Sequence, residues 1–154
     1  MFKKWMFLLA LLLPFECNIY PTLLLDTPAH VPEPRSAEVS IAADQSWQRS
    51  GIQLQSGEQI TIEVLSGLWN TYPEEAFFDG AGGASGLCTG AACVGFVENM
   101  PKGMLIGRIG GGEPFPIGNF LELSADRSGT LELRMNDPGT EDNAGALIVL
   151  IRVE

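Results

Sequence analysis

The chain has 154 residues, 45% of them apolar and 8% aromatic, enough for one hydrophobic core and a short appendage. Its formal net charge is −10, and acids stay in excess when residues 36–154 are taken alone. Such a field repels nucleic acid and disfavours anionic substrates, leaving neutral ligands and cations.

The N-terminus opens with "MFKK" and the apolar run "WMFLLALLLPF". A basic start and a short apolar stretch read as an export signal or N-terminal anchor over residues 1–25. The run is shorter than the roughly 20 residues that span a bilayer. Periplasmic or extracellular export is expected, with retention at the membrane through this segment as the other outcome. Glu16 precedes Cys17 where a lipidated cysteine needs a small residue, which argues against a lipid anchor. Residues 26–35 carry Pro28, Pro32 and Pro34 and read as an extended linker.

From Ser36 the apolar residues recur every second position. "EVSIA", "IQLQSGEQITIEVLSG", "MLIGRIG", "FLELS", "TLELRM" and "ALIVLIRVE" follow one another with turn residues between them. No helical stripe interrupts them. The pattern predicts an all-β domain over 36–154, an antiparallel β-sandwich of jelly-roll type. "ALIVLIRV" is apolar on both faces and is expected at the centre of a sheet.

Two stretches break the alternation. Residues 70–93, "NTYPEEAFFDGAGGASGLCTGAAC", exceed any hairpin turn, and long loops in compact domains are commonly functional. Within them Cys88 and Cys93 stand as either a disulfide in an oxidising compartment or two buried thiols. Residues 136–145, "NDPGTEDNAG", gather Asp137, Glu141, Asp142 and Asn143 around Pro138-Gly139. This is either an ordinary solvated hairpin turn, with Asp137 capping its own backbone, or an oxygen cage for a hard cation. The spacing is not that of an EF-hand.

Other signals read more simply. Trp47 and Trp69 invite a sugar-stacking platform, although Trp69 beside a strand is expected in the core. Phe77 and Phe78 either stack on a ligand or anchor the long loop. Gly110–Gly112 lack the lysine and strand-to-helix context of a phosphate loop and read as a turn. The single histidine, His30, lies in the linker, which closes Ser-His-Asp, Cys-His and zinc arrangements. An enzyme is not expected.

"GLWNTY", "GLCTGAAC", "LIGRIG…PFPIG" and "SGTLELRMNDPGTEDNAGALIVLI" occur in the order seen in the galactophilic PA-I-type lectins. The chain resembles that family of small calcium-dependent sugar-binding β-sandwiches over about residues 38–153. The resemblance implies Ca2+ held by Asp137, the Thr140 and Tyr72 backbone carbonyls, and the side chains of Asp142 and Asn143. A neutral saccharide or glycoconjugate would complete the shell with two hydroxyls, contacting Tyr72, Asp137, Asp142 and Asn143. Asp142 replaces a family amide, and the acidic loop is about two residues shorter. The family's His-Pro-x-Gln segment, which contacts galactose, is replaced near Gly82 to Ser85, leaving Ser85 as a substitute contact. Association of copies into a multivalent homo-oligomer also follows from the resemblance.

Overall fold

The computed structural model describes residues 35–84 and 86–154. The expected leader and most of the linker, with His30 and Cys17, lie outside the described residues, as does Ser85.

Eight strands form in the order β1 (Arg35–Ala42), β2 (Gln48–Leu54), β3 (Gln59–Asn70), β4 (Leu105–Ile109), β5 (Phe115–Pro116), β6 (Phe120–Ser124), β7 (Gly129–Met135) and β8 (Ala144–Val153). No α-helix occurs among the described residues, and Ala91–Cys93 make one 3₁₀ turn. The strands pair into two antiparallel sheets, β1-β8-β3-β6 and β2-β7-β4-β5. The expected β-sandwich is the observed fold.

Period-two patterning explains the layering. Leu147, Val149, Ile151 and Val153 of β8 point inward with Ile60 and Ile62 of β3, against Leu131, Leu133 and Met135 of β7. Each such side chain contributes about 1.5–3 kcal/mol by leaving water. As expected, β8 is central, pairing with β1 on one side and β3 on the other. Its outward Ile148 and Leu150 are half-covered by those neighbours.

Connectivity departs from the turn reading at the acidic loop. β7 and β8 lie in different sheets, so residues 136–143 form an arch between layers rather than a hairpin. The Ser56-Gly57 turn likewise passes from β2 in one sheet to β3 in the other. Only β4 and β5 form a hairpin among these strands, and the expected glycine turn at 110–112 closes it, with the Gly112 N–H donating to the Ile109 carbonyl at 2.9 Å. Alternation states which face is buried; it does not state which strand is the partner.

Candidate functional site

Register carries the two loops to one end of the sandwich. A bulge between Val64 and Ser66 shifts β3, which then follows β8 until Asn70 faces Ala144. The chain entering the long loop at Thr71 therefore emerges beside the chain leaving the acidic loop. Asn70, nearly fully buried, locks this meeting. Its Oδ1 accepts the Ala144 N–H at 3.1 Å and its Nδ2 donates to the Glu75 carbonyl at 3.3 Å.

The long loop runs from Thr71 to Met104, beyond the expected end at residue 93. Its first part is pinned by Phe78, which exchanges backbone bonds with Trp69, both at 2.9 Å, and packs against the core. Phe77, its neighbour in sequence, is 52% exposed. Of the two readings for this pair, Phe78 is the anchor and Phe77 remains an open aromatic face. Further on, Cys88 and Cys93 form a disulfide with both residues buried, which settles the open question of the thiols.

The last part of the loop is held by Asn136, which has no exposed surface. Its backbone N–H donates to Met104 at 2.8 Å, and its carbonyl accepts from Gly103 at 3.2 Å. The side chain accepts the Val97 N–H at 3.1 Å and donates to the carbonyls of Val97 and Pro101 at 3.1 and 3.2 Å. One buried amide thus satisfies backbone groups of Val97 and Pro101 in the loop.

Between these loops lies a depression of about 510 Å³ lined by Thr71, Tyr72, Lys102, Asp137, Gly139 and Asp142. Tyr72, Asp137 and Asp142, singled out on separate segments of the sequence, share this one surface. Asp137 is 9% exposed and accepts the Gly139 N–H at 3.3 Å, the bond of an ordinary Asx turn. Burial pushes its carboxyl above the usual range, opposed first by the Gly139 N–H and then by the Lys102 charge. The nearby Asp142 charge raises it further, and the Asn143 amide lowers it.

Thr140 and Asn143 belong to the same arch. The Thr140 carbonyl accepts the Asn143 N–H at 3.3 Å, and the Tyr72 carbonyl accepts the Glu75 N–H at 3.1 Å. Each carbonyl keeps a second lone pair. Asn143 is 7% exposed, and its Nδ2 donates to the carbonyls of Gly139 and Ala43 at 3.0 and 3.2 Å. Two carbonyl acceptors fix which end of the amide is nitrogen. Its Oδ1 is buried and has no hydrogen-bond partner among the described residues. A buried carbonyl oxygen without a donor costs roughly 1–3 kcal/mol unless something else meets it.

Arg134 supports the arch from beneath. It is buried, donating from Nε to the Met135 carbonyl at 3.0 Å and from Nη2 to the Asp137 carbonyl at 2.8 Å. Burial lowers its pKa, with the Asp137 charge opposing and the Arg108 charge adding to the fall. The guanidinium lies 4.4 Å from the Phe96 ring centre and 5.7 Å from that of Trp47. Arg108 covers Trp47 at 4.3 Å and pairs with Glu132 at 2.7 Å. Two guanidinium groups thus lie against Trp47, which the sequence offered as a sugar platform. Trp69 has no exposed surface and belongs to the core, as expected.

Sequence reasoning did not single out Asn70, Lys102, Arg134 or the role of Asn136. Asn136 is adjacent to the acidic motif, yet no spacing distinguishes a loop-holding amide from a surface one. Among the described residues no group of three or more His, Cys, Asp or Glu side chains gathers as a metal set. Of the expected ligand residues, Tyr72, Asp137 and Asp142 line the depression, while Thr140 and Asn143 are not among its lining residues; together they offer carboxylate, amide and backbone oxygens, the donor types that suit calcium.

A two-sheet sandwich with an acid-lined, loop-built depression at one end has the form of a small binding module. Its fold is similar to that of a solved structure described as the EclA N-terminal domain, a PllA-like lectin, with a TM-score of 0.60 and 25% sequence identity. The match covers 77% of this chain and 96% of the other. No protein-family model and no curated protein matches the sequence.

Proposed function

We propose that this protein is a lectin-like binding protein, not an enzyme, whose depression holds a calcium ion and presents it to saccharide hydroxyls. Asp137, Asp142, the Asn143 amide oxygen and the carbonyls of Tyr72 and Thr140 would hold the ion. The supporting observation is the Asn143 Oδ1, buried and without a donor on the same arch that carries Asp137 and Asp142. A cation is the partner such an oxygen lacks. Similarity to a PllA-like lectin domain supports a carbohydrate as the ligand.

The ion's role is to fix and polarise the ligand hydroxyls, while the carboxylates accept hydrogen bonds from them. Galactose is the sugar suggested by the PA-I-type resemblance, and export with association into a homo-oligomer completes that proposal. The competing reading is a calcium-stabilised interaction module without sugar binding, favoured by the Asx-turn bond between Asp137 and Gly139.

Chromatography on immobilised galactose and a panel of other neutral sugars tests the proposal. The lectin reading expects retention in calcium and release by chelator. A protein stabilised by calcium but retained on no glycan would be the structural module.

A further inference from the structure

Lys102 is the only basic side chain lining the depression, which Asp137 and Asp142 also line. It is also the only lysine between residues 35 and 154. Its backbone is fixed on both sides: the N–H donates to Gly86 and the carbonyl accepts from Gly83, both at 2.9 Å. Asn136 holds the neighbouring Pro101 and Gly103. The side chain is thus carried on an anchored stretch of the loop, and the residue is half-buried.

Elsewhere the basic side chains are largely spent. Arg35, Arg108, Arg127 and Arg152 are each in an ion pair, Arg134 is bound to backbone carbonyls, and Arg49, exposed on β2 and not lining the depression, is in none. Among the described residues Lys102 is in no ion pair within 4 Å, although two carboxylates share its depression. Glu141, exposed on the same arch, is not among the lining residues.

We infer that Lys102 makes this site selective for acidic saccharides, pairing with a carboxylate on a sugar whose hydroxyls meet the calcium ion. This rests on the calcium-bridged reading proposed above. A divalent ion compensates the two carboxylates and leaves the ammonium as the uncompensated charge facing the ligand. A neutral sugar leaves it so, whereas a uronic acid pairs with it and gains a charge-assisted hydrogen bond. The net acidity of the chain disfavours anions at long range. Screening limits that field to about 8 Å at physiological salt, and the local charge decides at contact.

The test uses the full chain on immobilised galactose, glucose and mannose beside galacturonate, glucuronate and mannuronate, in calcium and in chelator. At least one uronate is expected to bind about tenfold or more tightly than its neutral counterpart, with the advantage shrinking as salt rises. Lys102→Met should remove that advantage, read as the ratio of uronate to neutral-sugar affinity within the same protein, and Lys102→Arg should restore part of it. Equal binding of neutral and acidic partners, or an advantage that survives Lys102→Met, overturns this inference and leaves the calcium-bridged lectin standing. Retention of no sugar in calcium overturns both. Lysine-dependent uronate binding that persists in chelator overturns the joint action of ion and ammonium.

Discussion

The Arg134 guanidinium donates to the backbone carbonyl of Asp137 at 2.8 Å, tying the end of β7 to the first acid of the candidate site. With its Nε bond to the Met135 carbonyl, it spans the point where the strand ends and the arch begins. Replacing it by methionine leaves two carbonyls without a donor in a buried place. The expected loss is about 2–4 kcal/mol of stability, read from denaturant midpoints. Arg134→Lys should recover less than half, because one ammonium cannot reproduce the planar fork over Phe96.

Asp137 behaves oppositely with and without metal. Its folded pKa is raised by burial, so the fold disfavours its ionised form. Without metal, its contribution is absent at low pH and becomes destabilising as pH rises from the unfolded value through the raised one. In chelator at neutral pH, Asp137→Asn should therefore be at least as stable as the native chain, and the two should converge in acid. In calcium the order should reverse, since the variant loses an anionic ligand. Melting temperatures of both proteins across pH, with and without calcium, check this.

The Cys88–Cys93 disulfide closes a short loop within the segment that carries Lys102. Loop-closure entropy assigns such a cross-link about 2 kcal/mol. Replacing both cysteines by serine should lower stability by that order or more, since two hydroxyls then occupy buried positions. The loss should appear in the melting temperature, together with faster amide exchange over residues 87–104.

Gly145 sits at φ +92, and a Cβ there would run into the Leu68 carbonyl and Trp69 backbone of β3. The strands approach closely where β8 leaves the arch, in a conformation that only glycine adopts readily. Gly145→Ala should cost about 1–3 kcal/mol and loosen the Asn70–Ala144 lock. Urea unfolding gives the first number, and calcium affinity reads the second effect.

Much of the layering was legible in the sequence because burial imposes a period of two on Ile60 and Ile62 and on Leu147, Val149, Ile151 and Val153. The partners of those strands were not, since alternation is the same whichever strand lies alongside. The acidic loop was therefore read as a turn or a cage, and its passage between sheets was not foreseen. Asp137 and Asp142 stood out by charge and Tyr72 through a family resemblance. Lys102 did not, because its meaning depends on distant chain segments meeting at one end of the sandwich, and Arg134 did not, because spacing does not show that its guanidinium turns back onto the backbone of Met135 and Asp137. The contacts of Trp47 were hidden for the same reason, since Arg108 and Arg134 reach it from other strands.

Thermal unfolding of the full chain in excess calcium, in chelator and in magnesium tests the central claim most directly. An ion that binds only the folded state adds about 2.7 kcal/mol at a hundredfold excess over Kd, a rise on the order of 10 °C for a domain of this size. The account predicts that rise in calcium, a much smaller one in magnesium, and neither in Asp137→Asn. Coincident curves in calcium and chelator would contradict it, leaving residues 136–143 as an arch held by hydrogen bonds of Arg134, Asn136 and Asn143.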